Sequence, residues 1–170
     1  MPLKTSRTLR DPIFSDIPPL KGLYVWESSW EGKPDPQDNK IKLGVQITPI
    51  EQILEEYYET NSYVFLRRLN VPEGLITPEK LVDIHEVVYD KPYDIVPLDW
   101  VGAIMRKDPE PQKTSRFWCA ALVGYIYTKV GILKSSTDWS ILTPNDFSLS
   151  GENLEFETND MLENVIKKIE

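Results

Sequence analysis

Apolar and polar positions alternate with two different periods along this chain, and the switches between them mark out its elements. Leu20-Lys21-Gly22-Leu23-Tyr24-Val25-Trp26 follows the breaker Pro18-Pro19 and is rich in β-branched and aromatic residues, which predicts a strand ending near Glu27. Glu31 to Lys40, with Gly32, Pro34 and Pro36 among charges, has the composition of a loop. Lys42 to Ile47 alternates as a second strand. Thr48-Pro49 then supplies a cap residue and a first-turn proline for a helix over Ile50 to Tyr58, with Glu51 completing a capping box. Ser62 to Leu69 reads as a third strand, central at Val64 and Phe65 and polar at Arg67 and Arg68.

Thr77-Pro78 repeats the cap-and-proline signature and starts a helix running to about Tyr89 that carries His85. The turn Asp90-Lys91-Pro92-Tyr93-Asp94 ends it, and Val96 to Trp100 leads into a short helix reaching Met105. A polar loop from Arg106 to Lys113 follows. From Phe117 the chain turns apolar with helix-compatible spacing until Gly131, after the hydroxyl residues Thr114 and Ser115. Trp139 to Phe147 contains another cap-and-proline turn at Thr143-Pro144. Met161, Leu162, Val165, Ile166 and Ile169 have the spacing of a short amphipathic helix that packs on the domain. The pattern predicts one α+β domain over 1–170, with 1–10 irregular and 152–170 a C-terminal helical appendage.

Composition narrows the function classes. The 170 residues are 41% hydrophobic and include 5 Trp, 8 Tyr and 5 Phe, enough apolar material to offset the ordering entropy of a folded core. A formal charge of -8, without any stretch that concentrates Lys and Arg among aromatics, argues against nucleic-acid binding, whose affinity rests on phosphate neutralisation. No run reaches the ~18 apolar residues of a membrane span, and Met1 to Arg10 lacks an apolar signal region. A cytoplasmic protein is the expectation, and one Cys with one His predicts neither a disulfide nor a metal site, nor any cofactor.

The single cysteine, Cys119, carries the chemistry. It falls in the first turns of the apolar helix, where unpaired amides and the positive end of the helix dipole favour a thiolate and offer donors to an oxyanion. The competing reading is a small residue packed in the core, since free cysteine is among the most buried residue types.

Four segments together resemble the circularly permuted NlpC-type cysteine hydrolases: Gly22-Leu23-Tyr24-Val25-Trp26-Glu27-Ser28, Gly44-Val45-Gln46-Ile47-Thr48-Pro49-Ile50, Lys91-Pro92-Tyr93-Asp94 and Phe117-Trp118-Cys119-Ala120-Ala121-Leu122-Val123. The resemblance spans about Asp11 to Phe147 and includes Asp138-Trp139-Ser140 and Thr143-Pro144-Asn145-Asp146-Phe147. It implies a papain-like fold, an antiparallel sheet packed on a nucleophile-bearing helix. It further implies Cys119 as nucleophile, Glu27 as the carboxylate that orients an imidazole, and Tyr93 as an oxyanion donor. Peptides, isopeptides or acyl-lipids are the implied substrates, attacked through an acyl-enzyme.

One departure bears on this. The family's histidine belongs on a strand before Asp11-Pro12, where this chain reads Thr5-Ser6-Arg7-Thr8-Leu9-Arg10. His85 lies between Ile84 and Glu86 on a helix rather than on the sheet, so the residues alone mark it as a partly exposed surface group. Two functions therefore compete with a merely packed cysteine: a thiol hydrolase impaired in its proton transfers, and a catalytically silent papain-like binding or assembly module displaying aromatics such as Trp30 and Trp139.

Overall fold

The alternating segments pair as antiparallel ribbons in a computed structural model, which describes residues 20–95, 112–158 and 161–169. Strand β1 (Tyr24–Pro34) pairs with β2 (Ile41–Pro49) in the register Glu27↔Gln46, Ser28↔Val45 and Trp30↔Leu43. β1 thus continues well past Glu27, where the sequence predicts its end. Its Gly- and Pro-bearing far end keeps a partner by a shift of register, between Trp30↔Leu43 and Pro34↔Ile41. The turn that joins the strands is closed by Asp35, whose backbone amide donates to the Lys40 carbonyl at 2.8 Å and whose carboxylate accepts from the Gln37 amide at 2.8 Å.

Helix α1 (Ile50–Glu59) follows β2 directly, but Thr48 does not cap it. Pro49 occupies the cap position without a side-chain hydrogen bond, and Thr48, still in the strand, turns its hydroxyl to Glu27 instead. The predicted capping box with Glu51 is therefore absent. Helix α2 (Pro78–Val88) starts as its sequence predicts: Thr77 accepts from the Lys80 amide at 3.3 Å and Pro78 fills the first turn.

The third strand is not central. β3 (Val64–Leu69) pairs only with β4 (Leu162–Ile169) among the described residues, and Phe65 is 61% exposed. The same pairing overturns the helical appendage expected over 152–170. Its apolar residues satisfy a helix period, yet an isolated β3 would leave its backbone donors and acceptors unmatched, and residues 162–169 supply their partners through Val64↔Ile169 to Leu69↔Leu162. Arg67 ties the ribbon down by donating to the Glu163, Phe147 and Ser148 carbonyls at 2.7–2.9 Å. The expectations for 1–10 and for a helix from Val96 to Met105 lie outside the described residues.

Helix α3 (Cys119–Val130) is the centre of the core, ending at Gly131 in the left-handed conformation, φ 90°. Phe117, Leu122, Tyr125, Ile132, Leu133 and Trp139 are all buried around it. Phe117, Tyr125 and Trp139 pack ring against ring with centroids 5.1–5.5 Å apart, Phe117 stacked on Trp139 and Tyr125 edge-on to it, and the Trp118 indole donates to the Leu142 carbonyl at 3.2 Å. Trp139, expected as a displayed aromatic, is only 3% exposed, because it fills the space left by Gly124 on α3; Trp30 is displayed, at 60%. The chain is thus a mixed α+β fold of small antiparallel sheets and, among the described residues, three α-helices. None of these helices is long and apolar enough to cross a membrane.

Candidate active site around Cys119

Cys119 is the first residue of α3, and it is exposed. A cysteine sealed in hydrocarbon does not fit this placement. The residue before it, Trp118, is extended with φ -87° and ψ 170° and offers no side-chain cap. The amide of Leu122 donates to the Trp118 carbonyl at 3.0 Å, so the amides of Cys119, Ala120 and Ala121 are the first-turn donors that have no acceptor within the helix. Such donors beside a sulfur are what an oxyanion formed on it requires.

Tyr93 reaches this point by a chain of backbone pairing. Gly44 faces Pro92 across an antiparallel bridge: Val45 N donates to Lys91 O at 2.8 Å, and Tyr93 N to Leu43 O at 3.0 Å. On its other side Tyr93 bridges Phe117, with Phe117 N donating to Pro92 O at 3.1 Å and Asp94 N to Phe117 O at 3.2 Å. β2 is thereby stitched to the residue two before the cysteine. Asp94 and Arg116 flank the stitch as an ion pair at 3.4 Å. The Tyr93 hydroxyl ends beside the Cys119 sulfur; burial first, and then that neighbour, hold its pKa above the ordinary 10.0. A phenol kept protonated this way remains a hydrogen-bond donor.

Glu27 sits mid-strand with its carboxylate engaged by the Thr48 hydroxyl. Burial raises its pKa above 4.5, and repulsion from Glu31 and Glu56 adds to the rise while hydrogen bonds from Thr48 and Ser29 oppose it. Side chains alternate along a strand, so Glu27 and Ser28 project to opposite faces. Ser28, 1% exposed, is the β1 residue that touches the cysteine segment, its hydroxyl donating to the Phe117 carbonyl at 2.7 Å. Sequence reasoning singled out Glu27 and passed over Ser28. A small polar residue with Trp26 and Trp30 two positions away on either side, on the same strand face, is the available signal.

His85 has other company. Its ring lies 5.8 Å from Trp26 and 5.4 Å from Tyr89, and its Nε2 is 3.0 Å from the Gln37 amide nitrogen. It belongs to a polar cluster built on the Asp35–Lys40 turn. There the nearly buried Lys42 ammonium lies 2.8 Å from both Asp35 and Asp38, and the Tyr89 hydroxyl donates to Asp38 at 2.5 Å. Burial opposes charge at Lys42, but hydrogen bonds to Asp35 and Asp38 outweigh it and raise its pKa. Burial likewise pushes Asp38 up, yet Lys42 and Tyr89 hold it below 3.8.

No family model matches the chain, and no curated protein or solved structure is significantly similar to it.

Proposed function

We propose that the protein is a thiol hydrolase-like protein of the papain-like, permuted NlpC type, acting on an amide, isopeptide or ester bond through an acyl group carried on Cys119. The observation that carries this reading is the exposed sulfur on the first residue of a buried helix, with a protonated tyrosine hydroxyl beside it. The Cys119 thiolate adds to the acyl carbonyl carbon, forming a C–S bond while the carbonyl electron pair moves to oxygen. Amides of the first turn and the Tyr93 hydroxyl donate to that oxyanion. Collapse expels the amine or alcohol with a proton, and water then attacks the thioester, returning the thiol and releasing a carboxylic acid.

Proton delivery sets the limits of this chemistry. An amine leaves an acyl carbon only when protonated, whereas a stabilised alkoxide or phenoxide departs without help. Glu27 keeps in this scheme the orienting role that the resemblance implies for it, and burial holds its pKa above the ordinary 4.5. Activated esters are accordingly the substrates on which the site reacts fastest. A second reading, a silent binding or assembly module, draws on one observation: the only histidine is engaged by Trp26, Tyr89 and Gln37 rather than by the thiol.

A p-nitrophenyl acyl ester separates the two. The hydrolase reading expects a burst of one equivalent of nitrophenolate, a covalent acyl adduct on Cys119, and loss of both in Cys119→Ala. Tyr93→Phe should slow the burst by about a hundredfold or more, the scale expected for removing one oxyanion donor. Acylation of the native thiol no faster than in the urea-unfolded chain would overturn the hydrolase and leave the silent module.

A further inference from the structure

A cavity lies away from the cysteine, between the C-terminal half of α1 and the start of the β3–β4 ribbon, with a volume of about 420 Å³. Tyr57, Tyr58, Glu55 and Glu59 line it from the helix, and Val64 and Ile169 from the ribbon. Tyr58 is 81% exposed and Tyr57 46%, a large aromatic display for a single helical turn.

The electrostatics of that turn run against its own helix. The negative end of a helix dipole favours cations in the last turn, yet α1 has no basic residue there and carries Glu55, Glu56 and Glu59 instead. Among the described residues neither Glu55 nor Glu59 has a basic partner. The ribbon does not supply one either. Lys168 stands over the Tyr63 ring at 3.7 Å and pairs with Phe65, one position out of phase with Val64 and Ile169, so alternation puts it on the opposite face. Lys167 shares the cavity's face next to the Val64↔Ile169 pair but does not line the cavity.

From this we infer that the cavity is a binding site for a lysine or arginine side chain of an extended peptide. The aliphatic stem would lie on Leu54, Val64 and Ile169, the cation would meet the tyrosine faces, and the two carboxylates would pair with it where the dipole already favours positive charge. The formal charge of -8 attracts such a peptide at long range. The site is separate from Cys119 and does not depend on the hydrolase reading.

The test is fluorescence anisotropy with a labelled five-residue peptide, Gly-Val-Lys-Val-Gly, titrated with the full chain at low salt. Norleucine and glutamate versions at the central position serve as probes of charge. The lysine peptide should bind at least tenfold more tightly than the norleucine one and the glutamate one not measurably. Both Glu55→Gln/Glu59→Gln and Tyr58→Leu should weaken the lysine peptide by about tenfold, and Cys119→Ala should leave it unchanged. The double variant removes charge from an exposed, dipole-opposed turn, so an unchanged or raised melting temperature certifies its fold. Equal affinity for lysine and norleucine, no saturation up to millimolar protein, or full binding by the folded double variant would each overturn the site.

Discussion

Gly44→Ala is expected to disable the junction between the sheet and the cysteine segment without touching either side chain of the site. Gly44 has φ 152°, a backbone that L side chains rarely adopt, and a Cβ there would stand 2.2 Å from Lys91 O and 2.8 Å from Pro92 Cα. Both are backbone atoms, so the clash is relieved only by moving the 91–93 segment away from β2. That movement gives up the Val45–Lys91 and Tyr93–Leu43 hydrogen bonds, about 1 kcal/mol each. Holding alanine at this φ costs a further ~1–3 kcal/mol. The total is a loss of about 3–5 kcal/mol.

Urea unfolding followed by tryptophan fluorescence reads this directly. With a slope of about 2 kcal/mol per M, the midpoint should fall by about 2 M. The site should respond before the fold does. In native buffer, the iodoacetamide alkylation rate of Cys119 should change when Tyr93 withdraws from it, and Tyr93→Phe should reproduce that change without the large midpoint shift. A midpoint within 0.5 M of the wild type, or an alkylation rate altered by neither variant, would refute the claim that the Gly44–Pro92 bridge positions Tyr93.

Lys42→Met should cost about 3–5 kcal/mol by chemical denaturation, because it leaves the fully buried Asp35 carboxylate without its cation; adding Asp35→Asn should recover most of the loss, and a single-variant loss below about 1 kcal/mol would contradict the buried pair. Gly124→Ala would set a methyl 2.6 Å from Leu142 Cδ1 and 3.0 Å from Trp139 Cβ; overpacking of ~1–3 kcal/mol, offset by ~1 kcal/mol of helix propensity, predicts a net loss of about 1 kcal/mol, and a net gain would mean Leu142 yields freely. Glu27 holds its proton more tightly folded than unfolded, so its ionisation costs stability as pH rises from 4.5 through its folded pKa. The melting temperature of Glu27→Gln relative to wild type should therefore climb across that interval and then level, and a difference constant from pH 4 to pH 8 would exclude a buried, raised carboxyl.

What the chain discloses in advance is local. Thr77-Pro78 announces α2, Gly131 ends α3, and the position of Cys119 at the start of an apolar helix is readable from the residues around it. Pairings between distant residues are not. Leu162–Ile169 fits a helix period as well as a strand, and only the presence of β3, almost a hundred residues earlier, decides the matter. The pairing of Lys42 with Asp35 and Asp38 has no signature in the residues, because a buried ion network has no sequence period; Trp139 reads as displayed because Gly124, which makes room for it, lies on another element. Tyr93 and Cys119 are likewise brought together by a bridge between residues 93 and 117 that no spacing rule encodes.

The site therefore inherits its geometry from the sheet. Ser28 pairs with Val45 and grips the Phe117 carbonyl; Val45 in turn donates to Lys91, one residue from the Pro92 that faces Gly44. Tyr93 and Phe117 each hang from this ladder, and Cys119 begins its helix two residues beyond Phe117. Loss of any rung displaces the hydroxyl relative to the sulfur, whereas changes at exposed ribbon residues such as Phe65 and Val165 leave the ladder untouched. Stability of the ribbon and reactivity of the thiol should accordingly vary independently, while substitutions at Ser28 and Gly44 should move sheet stability and Cys119 reactivity together.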